Sequence, residues 1–360
     1  MKKAILFMCS LCCVLGGTFT SYASEMQTNE LVIVEEEQTA EAVAPTIFVA
    51  DTSQIYTYTM MQNDIAQLTR MFPDKMKYEV VGQSTEGRDI YLLILGNPKA
   101  EHAVFVEGSI HGREYITTQL IMHMLLNYTV SYDTNEAYQE MLNNVCFYIV
   151  PMSNPDGVSI SQLGEACTED ENRLNFLRTV YKADSTGYQS YANYLARWKA
   201  NANGVDINRN FDAGWYTFLE HTNRSSEKYK GVAPGTEPET VALMTAFSKR
   251  DFDCVLNYHA RGEVIYYGAV GISSELSAKS KALAQLVNSV NHYRMIDTTT
   301  SSVCVSGGFG DWVMMVQNTP SIAIEVGRGE CPVSQSEFSS IWKKNYNMWE
   351  FVSYYAKNVK

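Results

Sequence analysis

Apolar residues gather along this chain in short runs. Residues 103–108, 146–151, 252–258 and 321–325 form such runs, and residues 89–95 add another. Runs of about four to eight apolar residues bounded by turn formers read as buried strands. Residues 78–81 and 89–95 flank Ser84-Thr85-Glu86-Gly87, which reads as a turn. Elsewhere the apolar spacing changes to threes and fours. Residues 55–71 carry Met60, Ile65 and Leu68 at helical spacing and stop before Pro73, and 117–128, 238–249, 273–295 and 335–356 read as helices too. Strands alternating with helices predict an α/β fold, with a mixed, mostly parallel central sheet and helices on both faces.

The ends of the runs carry the chemistry. His111 stands just past the first of them, Asn154 past the second and His259 past the third, and Glu325 closes the fourth. In open α/β sheets, ligands bind beyond the carboxyl ends of the strands. The pattern therefore points these groups toward one edge of one sheet.

Composition narrows the setting. The chain has 360 residues, 46% apolar and 19% charged, so it can build a sizeable core and wholesale disorder is excluded. Its net charge is −12 and it has no basic run, which argues against a nucleic-acid partner. Lys2 and Lys3 precede a short apolar stretch, 4–16, and Ser21-Tyr22-Ala23 offers small residues for cleavage. Residues 1–23 thus read as a signal peptide, 24–45 as a flexible acidic leader and 46–360 as one catalytic domain, secreted or extracytoplasmic. No other apolar run reaches the roughly 20 residues of a membrane span. Beyond the signal the cysteines are Cys146, Cys167, Cys254, Cys304 and Cys331, irregularly spaced. They read as buried thiols with room for one bridge, not as a disulfide framework.

His111 and Glu114 lie three apart, directly after a strand. That spacing alone is common among solvated loop residues. A further histidine at the same sheet edge, His259, turns it into a candidate metal site. Zinc accepts mixed nitrogen and oxygen donors, and a catalytic zinc keeps three protein ligands and one open position. Glu325 would then stand near the metal as a carboxylate able to move a proton between water and a leaving amine.

Motifs occur in a fixed order: His111-Gly112-Arg113-Glu114, Asn154-Pro155-Asp156-Gly157, Gly204-Val205-Asp206-Ile207-Asn208-Arg209-Asn210-Phe211, Tyr258-His259, Gly307-Gly308-Phe309-Gly310-Asp311-Trp312 and Ile324-Glu325-Val326-Gly327. Over about residues 55–355 this order resembles the zinc carboxypeptidase family typified by carboxypeptidase A. The resemblance implies one zinc ion on His111, Glu114 and His259, the ligand set known for that enzyme. It implies Glu325 as general base and acid, and Asp206 as the carboxylate that orients His111. Asn208 and Arg209 match the pair that holds the substrate's terminal carboxylate, and Arg113 a further subsite arginine.

The chain also departs from the family pattern. The arginine that polarises the scissile carbonyl has no clear counterpart. Arg197 is the preferred candidate, Arg173 a more distant one, and Asn203 stands where related bacterial enzymes often carry an arginine. Val303 replaces the mobile tyrosine of digestive members, and Gly310 occupies the base of the specificity pocket, so neither digestive specificity is implied. Gly327-Arg328-Gly329-Glu330-Cys331-Pro332-Val333 and Trp198-Lys199-Ala200-Asn201 resemble a bacterial branch that includes γ-D-glutamyl-L-diamino acid peptidases. The expected function is a zinc-dependent metallocarboxypeptidase acting as a monomer on peptide substrates, with cell-wall peptides favoured. The alternatives are a general carboxypeptidase on L-peptides, a non-catalytic binding homologue, and a small-molecule deacylase that would not need Asn208 and Arg209.

Overall fold

The computed structural model describes residues 55–184, 190–217, 222–300 and 307–358. The signal and leader segments, the start of the domain at residue 46, Val303 and Cys304 lie outside the described residues.

One mixed sheet organises the chain. Its strands are β1 (Met76–Gln83), β2 (Asp89–Leu95), β3 (His102–Gly108), β4 (Val145–Val150), β5 (Cys254–His259), β6 (Val264–Tyr267), β7 (Arg294–Asp297) and β8 (Ser321–Glu325). They lie in the order β1-β2-β4-β3-β5-β8-β6-β7. The central strands β4, β3, β5 and β8 run parallel, whereas β1, β2 and β6 are antiparallel to a neighbour. This is the mixed, mostly parallel sheet expected from the sequence.

Strand periodicity divides the core in two. Successive strand side chains point to opposite faces. Val104 and Val106 of β3, Phe147 and Ile149 of β4, and Leu256 and Tyr258 of β5 face one core. Phe105, Tyr148 and Val255 face the other. The first face is covered by α1 (Tyr58–Met71), α2 (Ile116–Val130), α3 (Glu136–Asn144), α8 (Ser274–Asn291), α10 (Phe338–Asn345) and α11 (Met348–Asn358). The second is covered by α7 (Pro238–Phe247), α9 (Phe309–Met315) and the 207–213 segment. With apolar cover on both sides, the central strands need no polar alternation, which is why they read as continuous apolar runs. A smaller cluster around Trp198 joins α4 (Pro155–Leu163), α5 (Glu171–Ala183) and α6 (Tyr191–Ala196).

The expected helix over 273–295 ends earlier. His292 takes a left-handed conformation at φ 57°, its N–H caps Asn288 O, and the chain then enters β7. The expected helix over 335–356 is two helices, α10 and α11. β6 and β7 span four residues each, too short for a periodic signal.

Candidate metal centre

The loop after β3 is held from within. Ser109 has φ 51°, its N–H donates to Thr117 Oγ1 at 2.9 Å, and its hydroxyl donates to Glu114 O at 3.3 Å. Gly112 N donates to Lys199 O at 3.0 Å. A Cβ on Gly112 would lie 2.4 Å from the Gly157 backbone and 2.8 Å from Trp198 O, so only glycine permits this packing. Asn154 staples the same region. Its Oδ1 accepts from Gly157 N at 2.9 Å, and its Nδ2 donates to Ile110 O at 3.2 Å and Ala200 O at 3.1 Å. Of the groups that the sequence points at this edge, Asn154 is therefore committed to holding the backbone.

The other three converge. β3, β5 and β8 are adjacent, and His259 and Glu325 are register partners at the ends of β5 and β8. His111 and Glu114 enter from the loop beyond β3, Glu114 in a short 3₁₀ turn over Gly112–Glu114. His111 Nδ1 lies 2.9 Å from Glu114 Oε1, His259 Nδ1 lies 3.0 Å from Glu114 Oε2, and the two Nδ1 atoms are 3.2 Å apart. These side chains are buried, and they form the metal-capable group found among the described residues. A tetrahedral centre with bonds of ~2.0–2.1 Å has donor–donor edges of roughly 3.3 Å. The observed spacing therefore fits such an ion.

A carboxylate stands behind the histidine. His111 Nε2 and Asp206 Oδ1 are 3.4 Å apart, and neither has another hydrogen-bond partner among the described residues. Asp206 Oδ2 accepts from Lys228 N at 3.1 Å and lies 3.5 Å from Lys199 Nζ. Burial works against the Asp206 charge, but Lys199 and His111 outweigh it and hold the carboxyl well below its ordinary range. Burial likewise opposes the Glu114 charge, and the two histidines keep this group ionised too. Burial lowers the His111 imidazole despite Glu114. Nitrogen lone pairs and a carboxylate facing one point are what a divalent cation requires.

A pocket of about 360 Å³ is lined by His111 and Glu114 of the trio together with Glu325, Arg113, Arg197, Lys199, Arg261 and Glu330. Burial raises the Glu325 carboxyl to about 7, with Glu114 adding to the rise and His259 and Lys199 opposing it. Arg113 Nη2 lies 3.1 Å from Glu227, and Arg113 Nη1 donates to Arg197 O at 3.3 Å. Arg173 is not in this pocket; its Nε lies 2.8 Å from Glu86 and its Nη1 bonds Ala202 O. Asn203 is engaged elsewhere, donating to Glu237 Oε2 at 3.0 Å and Thr85 Oγ1 at 3.2 Å. Lys199 lines the pocket with no role assigned from the sequence, as do Arg261 and Glu330. The position of Lys199 two residues after Arg197, in a segment bonded to the metal loop, was the available signal.

Asn208, Arg209 and Gly310 are not among the residues that line this pocket and lie on two other segments that pack together. Asn208 Oδ1 accepts from Phe309 N at 2.8 Å, and Arg209 Nη1 donates to Asn208 O at 2.8 Å. Gly307, at φ 66°, packs so closely that a Cβ would lie 2.6 Å from Arg209 O. Gly310 follows in the first turn of α9, where a Cβ would meet Asn257 Nδ2 at 3.3 Å.

A family model described as zinc carboxypeptidase matches residues 61–348. The chain belongs to the zinc carboxypeptidase family. As a member it is a zinc metallopeptidase, a hydrolase that uses one zinc ion. It is 29% identical over 300 residues to γ-D-glutamyl-L-diamino acid endopeptidase 1 of Lysinibacillus sphaericus, covering 81% of this chain and 70% of that protein. It is 29% identical over 301 residues to the uncharacterized protein YqgT of Bacillus subtilis (strain 168), covering 80% and 74%. In fold, this zinc carboxypeptidase is similar to carboxypeptidase A from Helicoverpa armigera, with a TM-score of 0.66 at 19% identity, covering 86% of this chain and 75% of the other.

Proposed function

We propose that this metallopeptidase cuts cell-wall peptides at a γ-D-glutamyl-diamino acid bond, outside the cytoplasm. The observation that carries the hydrolytic reading is the metal-capable group of His111, Glu114 and His259 with Glu325 beside it, sharing a pocket with His111 and Glu114 and pairing in register with His259. The substrate class draws support from the likeness to the Lysinibacillus endopeptidase, and the location from Lys2, Lys3 and the apolar stretch after them.

His111, Glu114 and His259 would hold the zinc ion, which when bound polarises the scissile carbonyl and acidifies water. Asp206 fixes the His111 ring through Nε2. Glu325 accepts a proton from the attacking water and passes it to the leaving amine. A carboxyl raised by burial can both take and return that proton near neutral pH. Asn208 and Arg209 grip the carboxylate of the departing residue, the guanidinium through paired hydrogen bonds. Arg113 contacts the substrate further along. Arg197 and Lys199 both bring positive charge to the pocket, where negative charge develops on the carbonyl oxygen. Gly310, where a Cβ would lie 3.3 Å from Asn257 Nδ2, borders the place of the departing residue's side chain.

The test sets two substrates side by side with the zinc-loaded enzyme: a γ-D-glutamyl-diaminopimelate peptide and an L-peptide library, with products read by mass spectrometry. Cleavage of the first, lost in Glu325→Gln with zinc content retained, is the expected result. Cleavage of L-peptides alone would overturn the cell-wall reading and leave a general carboxypeptidase.

A further inference from the structure

The rim of this pocket carries an ion-paired carboxylate that the reaction above does not use. Glu330 stands between two arginines. Its Oε2 lies 3.3 Å from Arg197 Nη2 and its Oε1 lies 3.6 Å from Arg261 Nη2. All three line the same pocket as His111, Glu114 and Glu325. Each guanidinium thus faces its own oxygen of a single carboxylate, as two arginines would face a bound one.

That carboxylate is weakly held. The Glu330 side chain is 72% exposed, against 39% for Arg197 and 41% for Arg261. Exposed pairs of this kind contribute roughly 0–1 kcal/mol. An incoming carboxylate that reached both arginines at once would replace Glu330 at little cost. The electrostatic setting favours such a guest. The chain carries −12 overall, yet Arg113, Arg197, Lys199 and Arg261 converge on this one pocket. Glu114, Glu325 and Glu330 stand against them, so displacing Glu330 leaves the cations of the lining in excess for a guest carboxylate. The pair is also separate from the clamp, since neither Asn208 nor Arg209 lines this pocket and Asn208 Oδ1 accepts from Phe309 N.

We propose that Arg197 and Arg261 form a second carboxylate subsite, with Glu330 as its built-in stand-in. The ligand is a free carboxylate on the acyl side of the scissile bond, such as the α-carboxylate left free when glutamate is linked through its γ-carboxyl. The inference rests on the reading of this pocket as the hydrolytic site, and it names the feature of the substrate that the pocket selects.

The experiment uses the full zinc-loaded enzyme and two γ-D-glutamyl-diaminopimelate peptides that differ only in whether the glutamyl α-carboxylate is free or amidated. A preference of about tenfold in kcat/KM for the free acid is expected, as for a hydrogen-bonded charge pair. That ratio falls toward one in Arg261→Gln. Glu330→Gln lowers KM for the free acid severalfold, because the internal competitor is gone, and leaves kcat in place. Equal rates on the two peptides, or a ratio unmoved by Arg261→Gln, overturn the subsite. If neither γ-linked peptide is cut, the cell-wall reading fails by itself. The same comparison then uses L-peptides with glutamate or glutamine before the scissile bond, and a glutamate preference lost in Arg261→Gln sustains the subsite.

Discussion

His111 turns one ring nitrogen toward the metal trio and the other toward Asp206, whose Oδ1 lies 3.4 Å away. The carboxylate is fully buried and its second oxygen is shared with Lys228 N and Lys199 Nζ. Outer partners of this kind fix the ring and raise its basicity as a ligand. Asp206→Asn is therefore expected to weaken zinc binding by about 10–100-fold. Competition with a chromogenic chelator measures it, and unchanged affinity would assign Asp206 to loop structure alone.

Lys199 and Arg197 offer the pocket two cations with different attachments. Lys199 is tied to Asp206, and its side chain is only 14% exposed, whereas Arg197 pairs with exposed Glu330 at the rim. A cation in a drier place acts more strongly on charge that develops in the transition state. Lys199→Met is expected to lower kcat by about 10²-fold, and Arg197→Met by less. A phosphinic transition-state analogue should lose affinity in parallel with kcat in the lysine variant. The reverse order of the two kcat losses would return the role to Arg197.

Arg209 is proposed to hold a terminal carboxylate beside Asn208. For a substrate with a free C-terminus, Arg209→Ala should lower kcat/KM by about 10–100-fold, since a charged hydrogen-bond partner is lost. A substrate amidated at the C-terminus should respond far less to the same change. Equal losses on both would remove the clamp and favour a deacylase.

Stability should depend on pH through a carboxyl remote from the metal. Glu239 is fully buried, accepting from Thr85 N at 3.0 Å and Asn201 Nδ2 at 2.9 Å. Burial raises it from 4.5 to about 7. The folded chain then binds more protons than the unfolded chain between those values. This contribution is therefore complete below pH 4.5 and is lost as pH rises through 7. The loss amounts to at most about 3 kcal/mol. Denaturant titrations at pH 5 and pH 8 should show a smaller decline for Glu239→Gln than for the parent enzyme. Identical declines would place the pH dependence elsewhere, for example at Glu107, which burial also raises to about 7.

The sequence was most legible where several levels agree. Buried strands read plainly because both faces are covered, so β2 and β8 begin and end at the expected residues. His111, Glu114, His259 and Glu325 were legible because strand ends announce them. Contacts made by long side chains across loops were not. Nothing in the order of residues says that Arg197 and Arg261 share Glu330, or that Arg173 and Asn203 turn away into structural networks. Short elements escaped for lack of length, as with β6 and β7, and α5 and α6 because they pack on a satellite cluster away from the sheet.

The trio also bears on how the fold endures. His111 and His259 are 148 positions apart in the chain, and they meet through donors from neighbouring strands. Cys146, Cys167, Cys254 and Cys331 are buried and unbridged, so no covalent link among them closes a loop. A bound ion would close a long one, restricting the unfolded chain as a disulfide does and stabilising the native state in proportion to its affinity. Stripping the ion would then do more than silence the enzyme: it would unfasten the middle of the sheet.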